Sequence, residues 1–476
     1  MKKANKVLAA VLSCAMAASV MLSLAVTASA ASTNNKKASA ARVWDGTADT
    51  SWYTGKKDSY NIYTAEEFAG ISVLCNRNQD RVSFNGITIN IMNDIALNDT
   101  SNVENWATQA PANRWEPVGS KGSLIGQRGF EGCINGNGHT ISGLYVRSDG
   151  WNWQTDGGGL FRYTYCSAFV NLRIEDGYVF APSPSAALIG SAEATYIENI
   201  EVENVTVDTQ KAAGAIVGET ANIDLGRYAA TIGQLPFMAF GYFINPLILD
   251  AASTGSSPAD TYLLNCKAKD CSIKGEQAGG LVGGITECTG IYNCLSESNY
   301  INCTAWRNRE WGGIYGLIDI YAYDNPGVLY EVKKSYVYDA STPAGYPTTM
   351  ADEKDVNVIK KKATLTKSSF AEKLGDGFEY VKGSSPRVKA ILDTPVDIIL
   401  NGKNASIDWE PVKGAVKYKV LYKKSNGKYS ALATTTKTKA SLKNISEGKS
   451  YEILIRAYFK DGTYKTVDGG KFKLKA

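Results

Sequence analysis

The sequence predicts an all-β protein, a right-handed parallel β-helix or solenoid followed by a small β-sandwich. Three observations predict it. A small-small-apolar-apolar signature recurs at Gly158-Gly159-Leu160-Phe161, Ala186-Ala187-Leu188-Ile189, Ala213-Gly214-Ala215-Ile216, Gly279-Gly280-Leu281-Val282 and Gly312-Gly313-Ile314-Tyr315. A second signature sets an Asn among largely apolar neighbours: Val170-Asn171-Leu172, Ile197-Glu198-Asn199-Ile200, Leu264-Asn265-Cys266 and Tyr292-Asn293-Cys294. The third is the spacing. Asn171 to Asn199 and Asn265 to Asn293 are each 28 residues, and Asn199 to Asn265 is 66. That longer gap is one period plus 38 residues, so one coil carries an insertion, assigned to 223–260.

A period of 28 with short alternating strands, such as Ile200-Glu201-Val202-Glu203-Asn204-Val205-Thr206-Val207, fits one coil of a parallel stack. A single coil cannot bury its own apolar face; stacking coils at about 4.8 Å does so. Asn at one place in successive coils forms a side-chain ladder inside a turn. The leucine-rich repeat is the competing architecture, but its L-x-x-L-x-L spacing is missing here.

The remaining elements follow in chain order. Lys2, Lys3 and Lys6, an apolar run from Val7 to Val26, and the Ala28-x-Ala30 pattern predict a signal peptide over 1–30. Residues 31–42 form a linker. Residues 43–150 form an N-terminal cap and the first coils. In them Thr64-Ala65-Glu66-Glu67 fits a helix capping box opening a short helix through Cys75, with strands near Ile87–Ile91 and Ile134–Val146. Residues 151–390 hold the repeats, with Phe370–Ala390 closing the far end, and 391–476 form the separate tail.

Charge divides along the same boundary. Residues 391–476 carry 17 Lys/Arg against 8 Asp/Glu, whereas 31–390 carry 31 against 39, a net of −8. An acidic body with a basic tail argues against nucleic-acid binding. It suits a body facing outward and a tail held non-covalently to an anionic cell wall. Eight cysteines follow residue 30, with no C-x-x-C pair and no His cluster, so no metal site is predicted.

Several motifs carry a family resemblance. Thr64-Ala65-Glu66-Glu67-Phe68, Trp115-Glu116-Pro117-Val118-Gly119, Phe130-Glu131-Gly132 and Gly136-Asn137-Gly138-His139-Thr140-Ile141-Ser142-Gly143-Leu144 precede the Gly-Gly-Leu repeats. Over about 60–390 this succession resembles the GLUG-repeat secreted β-helix surface proteins of Gram-positive and gut bacteria. Adhesin-like proteins, and immunoglobulin-binding superantigens of commensals, have this look. The tail resembles an immunoglobulin-like, fibronectin type III β-sandwich. It carries Trp409 before Glu410-Pro411, an alternating Tyr418-Lys419-Val420-Leu421-Tyr422, and Tyr451 at the tyrosine-corner region.

Catalytic signals are few. His139 is the one histidine and sits in a Gly-rich turn, where a structural role is expected. A glycoside hydrolase needs paired carboxylates, and no Asp-Asp pair occurs. A polysaccharide lyase would draw on Arg307 and Arg309 with Glu310, but Arg is a poor base. No cofactor is expected.

Binding signals are stronger. Trp151-Asn152-Trp153-Gln154-Thr155-Asp156 and Trp306-Arg307-Asn308-Arg309-Glu310-Trp311 both precede the small-small signature of their coils. Both should project from one edge, four coils or about 19 Å apart, which is a span for a glycan chain or a protein surface. Trp151, Trp153, Trp306, Arg307, Arg309 and Trp311 are therefore ligand-binding candidates. Phe237, Phe240, Tyr242 and Phe243 of the insertion form a third, either folded onto the flank or offered to a partner. The expected function is secreted or cell-surface binding of a host glycoprotein, immunoglobulin among the candidates, or of polysaccharide. The alternative is a polysaccharide lyase.

Overall fold

The computed structural model describes residues 42–119, 129–150, 157–220, 261–285, 289–304, 311–318, 330–338, 356–375, 377–392, 396–412, 414–424, 429–460 and 464–473. Over them the protein is all-β. The chain enters through β1 (Ser59–Ile62), α1 (Ala65–Asn76), β2 (Thr88–Ile91) and β3 (Ile95–Ala96). The predicted capping box forms. The Glu67 N–H donates to Thr64 Oγ1 at 3.2 Å, and the Thr64 N–H donates to Glu67 Oε2 at 3.2 Å. The helix buries Phe68, Ile71 and Leu74, and Phe68 stacks on Trp115 with ring centroids 5.0 Å apart.

Then the repeat begins with β4 (Cys133–Arg147), β5 (Phe161–Tyr165), β6 (Ala168–Ala181), β7 (Ile189–Glu193) and β8 (Tyr196–Thr209). Strands β6 and β8 pair in parallel, from Ala168 opposite Tyr196 to Ala181 opposite Thr209, an offset of 28 throughout. The same offset returns where Thr261–Leu264 pairs with Thr289–Tyr292 and Lys267–Lys269 pairs with Leu295–Glu297. Tyr262 lies opposite Tyr196, so the stack keeps its register across the insertion. Smaller parallel sheets run beside this one. One joins β5, β7, Val217–Thr220, Val282–Ile285 and Tyr315–Ile318, and another joins Ala212–Gly214, Gln277–Gly279 and Trp311–Gly312. Alternate residues point inward, so Ile134, Phe169, Ile197, Leu263 and Ile291 form one buried row.

The Asn positions make the corner. Asn171, Asn199, Asn265 and Asn293 all adopt φ of +53° to +58°, a region that Asn tolerates better than most residues. Asn199 Nδ2 donates to Asn171 Oδ1 at 3.0 Å, and Asn293 Nδ2 donates to Asn265 Oδ1 at 3.3 Å. Both predicted Asn pairs are thus lateral neighbours. Between Asn199 and Asn265 the ladder changes: Asn265 Nδ2 donates to Glu198 Oε1 instead, and among the described residues Asn199 Oδ1 is buried without a partner. Cys266 and Cys294 are neighbours as expected, the Cys266 N–H lying 3.4 Å from Cys294 Sγ, and both are free thiols. A second corner, which the sequence spacing does not predict, repeats this geometry. Asp176, Asn204, Asp270 and Ser298 also take positive φ, and Asn204 Nδ2 donates to Asp176 Oδ1 at 2.6 Å.

Segment 370–390 does more than close the far end. Phe370 and Leu374, on the helix Ser368–Leu374, pack on Leu295, Tyr338 and Ile359. From Gly375 the chain then runs back along the flank as a strap. A Cβ on Gly377 would collide with Asn265, the Val388 N–H donates to Glu201 Oε2 at 3.2 Å, and a Cβ on Gly138 would lie 2.6 Å from that of Ala390. Beneath it is a buried charge cluster. Lys267, 3% exposed at its side chain, lies 3.5 Å from Glu201 and 3.2 Å from Glu297. Its Nζ donates to Ser385 Oγ at 3.1 Å and to the Pro386 carbonyl at 2.9 Å. Buried charges cost least when paired and hydrogen-bonded, and the strap supplies two of the Lys267 partners.

The tail is two sheets. Val396–Asn401, Asn404–Trp409 and Lys439–Lys443 pair antiparallel. Opposite them, Ser430–Thr435, Lys417–Lys424, Ser450–Tyr458 and Tyr464–Lys473 do the same, with Ile391–Leu392 added in parallel. Trp409, Tyr418, Val420, Ile453 and Ile455 fill the space between. The Tyr451 hydroxyl accepts the Ser446 N–H at 2.9 Å, the bond expected of a tyrosine corner. The tail touches the body where the Thr466 N–H donates to the Ala390 carbonyl at 2.8 Å and where Lys465 faces Asp94.

Candidate functional site

The segment Trp115-Glu116-Pro117-Val118-Gly119 adds itself to the edge of the stack. The Trp115 N–H donates to the Tyr145 carbonyl at 2.8 Å, and the Val118 N–H donates to the Leu160 carbonyl at 3.0 Å. Trp115 and Val118 turn inward and are buried, while Glu116 points out. On the neighbouring strands Val146 and Phe161 turn inward and Arg147 and Arg162 point out. This segment and its neighbouring strands enclose a pocket of about 270 Å³ lined by Arg114, Trp115, Glu116, Pro117, Val146, Arg147, Ser148, Gly157 and Arg162.

Three guanidiniums thus meet at one pocket, with Glu116 in its lining and Asp149 beside it. Arg162 is held by Glu116 at 2.7 Å and by the Gly119 carbonyl at 3.1 Å. Arg147 is held by Asp149 at 3.2 Å and the Ala107 carbonyl at 3.3 Å, and lies 5.1 Å from the Phe180 ring centroid. The hydrogen bond it donates to Asp149 raises the Arg147 pKa further above its usual value, so its charge is fixed. Arg114 is exposed and has no ion pair or hydrogen-bond partner among the described residues.

The pocket lies at the root of one of the predicted loops. Ser148 and Gly157 line it and flank residues 151–156. Trp151 and Trp153 themselves lie outside the described residues, as do Trp306, Arg307, Arg309, Phe237, Phe240, Tyr242 and Phe243. The roots of both Trp-rich loops are described and share one row. Gly158 bridges Ser185, Ser185 bridges Ala213, Ala213 pairs with Ala278, and Ala278 pairs with Trp311. Gly158 and Trp311, which follow the two loops, therefore sit on one row four strands apart. Trp311 is half-buried and packs against the main core, in line with its fully buried row-mates Ala213 and Ala278. Its placement is that of a core-packing ring.

His139 has the structural surroundings expected of it. Its Nδ1 lies 3.0 Å from Asp94 Oδ1, which also accepts the Thr140 N–H at 3.0 Å. Burial opposes ionisation of Asp94, but these hydrogen bonds and the nearby Lys465 charge outweigh it and hold the carboxyl at about 2. Burial pushes the Cys75 thiol up to about 11 and those of Cys133 and Cys271 to about 12, so none is poised as a nucleophile. Among the described residues no cluster of three or more His, Cys, Asp or Glu could hold a metal, and no helix is long and apolar enough to cross a membrane.

Sequence reasoning missed Arg114, Arg147 and Arg162. A signal was present: Arg147 and Arg162 each follow an inward apolar residue on an alternating strand, and Arg114 directly precedes the Trp115-Glu116-Pro117-Val118-Gly119 motif.

No protein-family model matches the chain, and no curated protein matches it. Solved structures are similar to part of it, among them the following three. The twitchin kinase region from C. elegans is 20% identical over 16% of this chain and 15% of its own, with a TM-score of 0.15. An Fn3-like protein from Clostridium thermocellum is 26% identical over 15% of this chain and 80% of its own, TM-score 0.14. The fn3 domain of human collagen alpha-1(XX) chain is 19% identical over 20% of this chain and 89% of its own, TM-score 0.17.

Proposed function

We propose that this is a secreted or cell-surface binding protein, adhesin-like in role. It recognises a macromolecule from the loops and flank of a right-handed parallel β-helix. The fibronectin type III-like tail serves as spacer and as a basic, non-covalent contact to the cell wall. A host glycoprotein, immunoglobulin included, and polysaccharide are the candidate partners. One observation carries the reading. The two Trp-rich loops root on one row four strands apart, and the first roots beside a pocket lined by three arginines. That edge spans about 19 Å, which suits an extended ligand and exceeds one small-molecule site. Arg and Trp are also the residues in which binding energy concentrates. The repeated parallel register and the corner ladders support the β-helix; the two packed sheets and the Tyr451 bond support the fibronectin type III likeness of the tail.

The polysaccharide lyase is the second reading, and the same arginines favour it, because they suit a polyanionic chain. One experiment separates the two. Purified protein is titrated against immobilised immunoglobulin, mucin and acidic polysaccharides, and the polysaccharides are monitored for ultraviolet absorbance from unsaturated products. Saturable binding without new absorbance supports the binder. A steady rise in absorbance would establish the lyase instead, and substitutions at Arg147 and Arg162 and at Arg307 and Arg309 would say which arginines serve it.

A further inference from the structure

We infer that the pocket formed by residues 114–117, 146–148 and 162 is a subsite for one acidic sugar residue, bound through its carboxylate or sulfate group. This rests on reading the chain as a binding protein. Four observations converge on it. The first is charge. The body is acidic, with a net of −8 over 31–390, yet the pocket gathers Arg114, Arg147 and Arg162 against Glu116 and the adjoining Asp149, an excess of positive charge. Such a local reversal of sign focuses an anion where the surrounding surface repels it.

The second is the state of the three guanidiniums. Arg162 and Arg147 are each anchored by a backbone carbonyl and one carboxylate, so their positions are set before any ligand arrives. Arg114 is exposed and has no partner among the described residues, and the Ser148 hydroxyl likewise has none. Two fixed charges and one uncommitted planar fork are what bidentate recognition of a carboxylate or sulfate requires.

The third is size. About 270 Å³ falls at the lower edge of small-ligand pockets, which begin near 300 Å³, so it admits one ring and not a chain segment. The fourth is the lining. Its exposed surface is mainly polar, from the guanidiniums, Glu116 and Ser148, with Trp115, Pro117 and Val146 buried behind it, and a sugar ring presents polar edges to such a wall. The rest of a glycan would continue away from the pocket along the exposed side marked by Arg114 and Glu116.

The test uses the full chain and defined probes: sialyllactose for the carboxylate, a heparin-derived disaccharide for the sulfate, and lactose as the neutral control. We expect saturable binding of one acidic probe and none of lactose, and which probe binds identifies the group. Arg114→Gln should weaken that binding by about tenfold or more, while Arg114→Lys restores only part, since it keeps the charge and loses the fork. Because Arg114 is exposed and unpartnered, neither change should move the melting temperature, so lost binding cannot be put down to misfolding. Equal binding of lactose, binding of neither acidic probe, or an unaltered Arg114→Gln protein would overturn the subsite. Failure of the subsite alone leaves saturable binding of an immobilised glycoprotein intact after its acidic sugars are removed. Failure of the underlying reading abolishes binding to every glycoprotein and polysaccharide offered.

Discussion

Replacing Lys267 by Met should open the strap. The Lys267 side chain is 3% exposed, and its charge is met by Glu201 at 3.5 Å and Glu297 at 3.2 Å. It also donates to Ser385 Oγ and to the Pro386 carbonyl, the two contacts that tie the strap to this point of the flank. Methionine fills similar volume but leaves two buried carboxylates without their cation. The nearest remaining positive group to Glu201 is Arg173, at 3.9 Å. Breaking a buried ion pair from one side costs about 3–5 kcal/mol, and the lost hydrogen bonds to the strap belong to the same event. Hydrogen exchange is the direct assay. The amides of Val388 and Lys389 are bonded to Glu201 and Gly377, and should exchange at least about a hundredfold faster in the variant. Neutralising the carboxylates as well, in Lys267→Met/Glu201→Gln/Glu297→Gln, should recover most of the loss, because no unpaired charge remains. If Lys267→Met leaves both amides as protected as in the parent, the strap is held by something other than this cluster.

Other outcomes follow from the same geometry. Asn199→Ala should destabilise the body by about 2 kcal/mol in urea unfolding, from a lost ladder bond and from Ala tolerating φ +54° less well than Asn; Asn199→Gly should cost less, since glycine adopts that φ freely. Trp311→Ala should lower thermal stability by several kcal/mol, because the ring packs on the core; an unchanged melting temperature with weakened ligand binding would make it an exposed anchor instead. Asp94 is held at about 2 when folded against about 3.9 when unfolded. Its contribution is therefore fully present above about pH 4 and lost as pH falls towards 2. The melting-temperature gap between the parent and Asp94→Asn should then be constant near neutrality and close in acid. The Cys75, Cys133 and Cys271 thiols, raised by burial, should resist iodoacetamide in the native protein and react once it is unfolded.

The stack was legible because its corners demand particular residues. Asn171, Asn199, Asn265 and Asn293 sit at positive φ, so the period of 28 is written in residue types that can turn the chain. The insertion was legible by subtraction alone, from the spacing of Asn199 and Asn265. The second corner was harder to read because Asp176, Asn204, Asp270 and Ser298 differ in type while sharing a conformation. Nothing local distinguishes the strap. Ser385 and Pro386 look like an ordinary turn, and their function depends on Lys267, far away in the chain. The pocket was hidden for the same reason. Arg114, Arg147 and Arg162 come from three segments, and only the parallel addition of 115–118 to the edge of the stack brings them together. Trp311 shows the reverse difficulty: a Trp in a loop-like run looks like a contact residue until its row is seen to be Ala213 and Ala278, both buried.

The proposal that this edge binds an extended ligand is tested most directly by mapping where a ligand protects the protein. Hydrogen exchange would be followed on the full chain with and without a saturating immunoglobulin, mucin or acidic polysaccharide partner. The proposal predicts slowed exchange at 114–118, 146–148 and 157–162, continuing along the row of Ser185, Ala213, Ala278 and Trp311, with the tail unaffected. Protection confined to 396–473 would place the ligand on the tail and contradict it.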